Sequence, residues 1–310
     1  MANAAEVAAY GQPQAAFASG DAIAAAVAAS AFPKNGLVLP LIFHVVTWKG
    51  RNSVADTRAP VLANSQLTAQ WTGLQRDFKS AGIQFQAPTI MRHENQAWAA
   101  RCYDRLGAIS KAVVQNPATS VNVIVCDLYS GTGIFGVTPE MPSPTNANSP
   151  TSCVAVDFRS LPGGPIPAYN QGKTLTHELG HFFGLSHVFG DGGCGFDDGI
   201  ADTPAMAKPT GGCPVKAMDS CPGSPGTDPS WSFMDYSDDA CMSRFSPGQG
   251  ARMQAIVLAV KPAMLAYGVP VPSPPPLKAS PPLVPAKKPP PPLKKPALSP
   301  VRRNRRNLLW

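Results

Sequence analysis

Acidic residues are absent from the last 42 positions of this 310-residue chain, histidine occurs only five times, and no apolar run approaches the eighteen or so residues of a membrane-spanning helix. The missing run argues against a transmembrane anchor. The missing acids leave residues 269–310 with fourteen prolines, nine Lys or Arg and no counter-charge. Proline removes backbone donors and fixes φ, and so little apolar surface cannot offset the entropy of ordering, so this tail is expected to be disordered or polyproline-like. Taking its nine positive charges from the net of +7 leaves −2 for residues 1–268. The basic balance therefore belongs to the tail, and the body need not bind nucleic acid.

Three segments follow: an alanine-rich stretch 1–34, a folded body 35–268 and the tail 269–310. Within the first, AIAAAVAASA (Ala22–Ala31) has the length of a signal h-region and an A-x-A-like end, but Glu6 and Asp21 precede it and no Lys or Arg does. The stretch is read as targeting sequence or short pro-segment. RRNRR (Arg302–Arg306) and the SPPP and PPPP runs leave several readings of the tail open: a solvated basic end, attachment to a cell wall or other anionic surface, or a ligand for a small adaptor domain.

No CxxC pair occurs, which speaks against a structural Cys-ligated zinc. Four of the seven cysteines, Cys194, Cys213, Cys221 and Cys241, lie in a segment dense in Gly, Pro and Asp that cannot build much core. Cysteines in such a setting point to disulfides, and so to a secreted, extracellular or cell-wall protein.

Three of the five histidines stand in one run, HELGHFFGLSH. On a helix His177 and His181 share a face and can offer a ring nitrogen each to one metal, with Glu178 beside the remaining coordination position. Gly184 can take the left-handed conformation that stops the helix and turns His187 back as a third ligand. Three protein ligands leave the fourth position to water, the mark of a catalytic zinc. A five-residue HExxH match alone could be chance on an amphipathic helix; the added glycine and third histidine make chance a poor account. His44, inside LPLIFHVV, reads as a satisfied strand histidine, and His93 as surface.

LPLIFHVV (Leu39–Val46) and VNVIVC (Val121–Cys126) read as strands, and Leu67, Trp71, Leu74 and Phe78 form a helical stripe closed by Gly82. Ser246, Pro247 and Gln249 carry a capping-box pattern for a C-terminal helix that Pro262 ends.

From Leu175 to Met253 the chain resembles the pappalysin family of metzincin metallopeptidases, particularly small extracellular fungal-type members. The resemblance rests on THELGHFFGLSHVFGDGGC (Thr176–Cys194), DTP (Asp202–Pro204), CP at Cys213 and Cys221, and DPSWSFMDYSDDACMSRFSPGQGARM (Asp228–Met253). Weaker likeness runs through GTGIFGVTP (Gly131–Pro139), SLPGG and YNQGKT. It implies an α+β fold: a twisted mixed sheet with a backing helix and an active-site helix, above a loop-rich, disulfide-stapled lower subdomain with a C-terminal helix.

By the same resemblance, GTGIFGVTP is the edge strand able to pair with an extended peptide substrate. Met234 lies in a methionine turn beneath the zinc, supporting the histidines without ligating, and Tyr236 is either an oxyanion donor or a structural tyrosine. The bridges would be Cys194 to Cys221 and Cys213 to Cys241, each closing a loop worth roughly 3–4 kcal/mol. Cys126 and Cys153 are a candidate third bridge, leaving Cys102 over. Asp198 and Thr203, with the Ala201 carbonyl, match a calcium loop, hard oxygen donors that suit that ion; a solvated acidic turn is the other reading. No cysteine precedes Cys102, so latency through an N-terminal thiolate on zinc is not expected. The implied activity is zinc-dependent endopeptidase action on extracellular or cell-wall proteins, with Glu178 as general base. The competing reading is an interaction protein acting through its tail, with a non-catalytic zinc domain.

Overall fold

The computed structural model describes residues 32–33, 36–48, 62–130, 132–190, 192–196 and 198–267; nearly all of segment 1–34 and the whole tail lie outside them. In chain order the strands are β1 (Leu37–Leu39), β2 (Leu41–Thr47), β3 (Ile83–Phe85), β4 (Thr89–Glu94), β5 (Val121–Cys126), β6 (Gly136–Val137) and β7 (Val154–Asp157). The helices are α1 (Asn64–Asp77), α2 (Gln96–Ala100), α3 (Cys102–Val113), α4 (Lys173–Phe182), α5 (Pro247–Val260) and α6 (Ala263–Tyr267). Pro40 divides the apolar run from Leu39 into two strands: β1 pairs with β3, and β2 enters the main sheet.

That sheet has the order β4-β2-β5-β7-β6, parallel except for β6, which runs antiparallel to β7 at one edge. Parallel strands are covered on both faces, which is why VNVIVC shows no alternation. Phe43, Val123, Val125 and Val156 meet Leu67 and Leu74 of α1 and Leu175 and Leu179 of α4. Ile124, Cys126 and Ala155 meet Leu106, Ile109 and Val113 of α3 on the other face. The stripe of α1 ends at Phe78, a 3-10 turn over Lys79–Ala81 follows, and Gly82 closes it at φ 68°. Ser246 and Gln249 form a reciprocal capping box at the start of α5. Between α4 and α5, regular structure among the described residues is limited to the turn Gly193–Gly195 and one bridge, Ser232 to Arg244. Cys194–Cys221 and Cys213–Cys241 tie this half together.

The third disulfide is Cys102–Cys126, which overturns the expected pairing of Cys126 with Cys153; Cys153 is a free buried thiol. The register explains the outcome. Val123 pairs with Val154, so Cys153 lies alongside Asn122, four residues from Cys126 and about 13 Å away at the rise of a strand. That separation exceeds disulfide reach, whereas Cys102 opens the helix packed over the Cys126 face, with Cα atoms 6.3 Å apart. Burial, foremost, pushes the Cys153 thiol up to about 12. His93 also departs from expectation. It is half-buried, and its Nε2 lies 3.1 Å from Nδ1 of His44, whose Nε2 donates to Asn122 Oδ1 at 2.9 Å.

Candidate metal centre

Helix α4 carries HELGHF and is buried along most of its length. Its end is a Schellman turn: Gly184 N–H donates to His181 O at 2.8 Å and Leu185 N–H to Gly180 O at 3.0 Å, with Gly184 at φ 87°. A Cβ on Gly184 would also stand 2.5 Å from Ile256 Cγ1, so glycine is required on two counts. The turn brings His187 back onto the helix. The Nε2 atoms of His177, His181 and His187 are each 3.1 Å from the other two.

The outer nitrogens settle the protonation. His177 Nδ1–H donates to Phe233 O at 2.7 Å and His181 Nδ1–H to Leu185 O at 2.7 Å, so in the neutral rings the converging Nε2 atoms carry lone pairs. Burial, foremost, pulls His177 down to about 3 and His181 to about 4, with the two carbonyls partly opposing it. His187 is pulled well below its usual value, again by burial first and then by the neighbouring imidazoles. Neutral nitrogens facing each other at this distance repel unless a cation lies between them, and metal ligands of this kind must be deprotonated. Their separation is close to the edge of about 3.3 Å expected for nitrogens on a tetrahedral zinc. The donor set fits zinc.

Met234 is fully buried and lies against Gly180, where any Cβ would collide with its sulfur. Its carbonyl accepts from Val188 N–H at 3.3 Å, which ties the chain at Met234 to the segment beside His187. The Tyr236 ring centroid is 4.9 Å from that of His187 and 5.6 Å from that of His177.

Two further residues shape the site, and sequence reasoning did not single them out. Thr138 Oγ1–H donates to Glu178 Oε2 at 2.8 Å, and Gly136 of β6 lies so near that a Cβ would sit 2.5 Å from Glu178 Oε1. An isolated glycine in a strand pattern signals close approach of another group, and that signal was present in GTGIFGVTP. Asp198 and Thr203 meet in a separate loop: Thr203 Oγ1 is 2.8 and 2.9 Å from the two Asp198 oxygens.

Residues 111–258 match the profile of a peptidase family described as pregnancy-associated plasma protein-A. An extracellular metalloprotease of Arthroderma benhamiae is 39% identical over 229 residues, 73% of this chain and 79% of that protein. One from Verticillium alfalfae is 37% identical over 225 residues, 72% and 78% of the two chains. Promirolysin of Tannerella forsythia, at 25% identity, superposes with a TM-score of 0.65 over 76% of this chain and 86% of its own. Mature mirolysin in complex with a cleaved peptide shares the fold, with a TM-score of 0.63 at 24% identity over 76% and 97%. With that identity sustained across more than two thirds of the fungal enzymes, this chain belongs to the pappalysin family of extracellular zinc metallopeptidases.

Proposed function

We propose that Glu178 is the general base of peptide hydrolysis, that Tyr236 stabilises the oxyanion, and that β6 pairs with the substrate backbone. The observation that carries this is that the helix bearing His177 and His181, whose Nε2 atoms converge with that of His187, also sets the Glu178 carboxylate against the edge of the sheet. Zinc held by His177, His181 and His187 supplies Lewis acidity, polarising the scissile carbonyl and lowering the pKa of water toward 7. Glu178 accepts the proton of the attacking water and returns it to the departing amine. Thr138 Oγ1–H holds one carboxylate oxygen in place, and the other lies on the Gly136 side. The Tyr236 phenol donates to the oxygen on which negative charge develops. As the edge of the sheet, β6 offers main-chain donors and acceptors to an extended peptide. The test is turnover of an unstructured protein such as gelatin by wild type and Glu178→Ala, each with and without a zinc chelator. Turnover that survives both the substitution and the chelator sinks the reading.

Calcium is proposed for the Asp198 loop. The two Asp198 oxygens and Ile200 O lie 2.7–2.9 Å from Thr203 Oγ1, so four oxygens of this loop are gathered at one place. Oxygen donors gathered on one loop suit a hard cation. Calcium added to the zinc-loaded enzyme should raise the unfolding temperature by a few degrees, the scale of roughly 1–2 kcal/mol of ligand stabilisation, and should not do so in Asp198→Asn. An equal rise in both proteins removes calcium from this loop.

The tail is proposed to hold the enzyme at an anionic or cell-wall surface, placing wall proteins within reach as substrates. Deleting residues 269–310 should leave turnover of a soluble peptide nearly unchanged. Retention on wall polysaccharide should fall, and in the intact chain it should weaken with salt, because nine unopposed charges act through screened attraction. Lost peptide turnover would place the tail within the catalytic body.

A further inference from the structure

Tyr129, 39% exposed, is one of four large hydrophobic side chains among the described residues that reach the surface to this degree or nearly so. Its ring stacks on Phe135 with centroids 4.6 Å apart and an interplanar angle of 22°, and Phe135 meets Tyr169 at 4.9 Å. Phe135 and Tyr169 are half-buried. The three rings come from three places: the loop after β5, the residue before β6, and the turn Pro167–Tyr169 before α4.

The shelf is rigidly mounted. Tyr129 N–H donates to Asp157 Oδ2 at 2.7 Å, and Asp157 N–H donates to Phe135 O at 2.7 Å, so one buried residue fixes the backbone of both stacked rings. Arg159 locks that residue in turn, donating to Asp157 and Asp127 at 2.9 and 3.0 Å. Aromatic rings that are edge-exposed yet fixed bind a flat partner with little ordering cost.

Position decides which partner. Gly136 and Thr138, either side of Val137, both touch Glu178, so the reacting bond lies opposite this stretch of β6. A peptide added in the antiparallel sense, the stronger pairing per residue, runs opposite to β6. Its residues after the scissile bond then pass Phe135, and at about 3.3 Å per residue the second or third of them lies over the shelf.

We propose that Tyr129, Phe135 and Tyr169 form a subsite for an aromatic side chain two or three residues downstream of the scissile bond. The proposal rests on β6 being the strand that pairs with substrate. A cationic side chain is disfavoured there, because the Arg159 guanidinium already lies 5.7 Å from the Tyr129 ring centre.

The test uses zinc-loaded full-length enzyme and peptides alike except for Phe, Gly or Arg at the second or third position on either side of the bond. Wild type should show a kcat/KM about tenfold higher for Phe than for Gly at a downstream position, with no such preference upstream. Tyr129→Ala and Phe135→Leu should each reduce that ratio to about two- or threefold. A ratio unchanged in both variants, a preference for Arg, or a preference confined to upstream positions overturns the subsite. Peptides N-methylated at downstream amides separate this from the pairing on which it rests. If N-methylation stops turnover while Phe and Gly are cleaved alike, pairing stands and the subsite alone fails. If N-methylation has no effect, β6 is not the pairing strand and the subsite falls with it.

Discussion

Glu178→Ala should keep a full complement of zinc and lose peptide hydrolysis by roughly 10²–10⁴-fold, the span that a positioned general base contributes. Zinc should stay because the three nitrogens that converge belong to other residues, and because the carbonyls of Phe233 and Leu185 orient two of them without help from Glu178. Hydrolysis should go because other buried carboxylates in this half of the molecule are engaged elsewhere. Asp235 accepts from Thr210 N–H, and Asp239 accepts from Gln171 N–H and Lys173 N–H at the start of the helix. Metal content by atomic absorption and turnover of one peptide, measured on the same preparation, decide the matter. Activity within a few fold of wild type at full zinc would remove Glu178 from the mechanism.

The second large effect is expected at the ligand that the Schellman turn returns to the helix. His187→Ala leaves two nitrogens 3.1 Å apart, where three had converged. Removing a ligand outright should weaken zinc binding by more than the 10–100-fold typical of losing an outer hydrogen-bond partner. Zinc content after dialysis against a weak chelator should therefore fall together with activity. A variant that retains stoichiometric zinc and normal turnover would mean that another group completes the site. The two substitutions differ in kind, since only the second should alter metal content.

Much of this centre could be read from residue order, because its parts are local. HELGHFFGLSH spans eleven residues, and helix periodicity and the left-handed allowance of one glycine place three imidazoles without any knowledge of the sheet. The strand at Val121–Cys126 and the box at Ser246 and Gln249 were legible for the same reason. What escaped depends on contacts between distant segments. Cys102 pairs with Cys126 because α3 lies over one face of β5, and cysteine spacing carries no information about faces. His93 read as surface because its polar neighbours in sequence say nothing of His44 on the next strand. Thr138 and Gly136 looked like ordinary members of an edge strand until α4 was set against them, forty residues away in the chain.

Two of the three imidazoles lean on main-chain oxygens, and every amino acid supplies a main-chain oxygen. Substitutions at positions 185 and 233 can therefore change core volume while the tautomer and tilt of the rings stay as they are, so long as the chain keeps its path. That freedom ends at Gly184, whose φ of 87° and crowding against Ile256 leave no alternative residue without strain. Loss of function by drift should thus enter this centre through the route of the backbone sooner than through the side chains that hold up its ligands. A descendant that has lost its glycine should be suspected of having lost its metal, even where all three histidines remain.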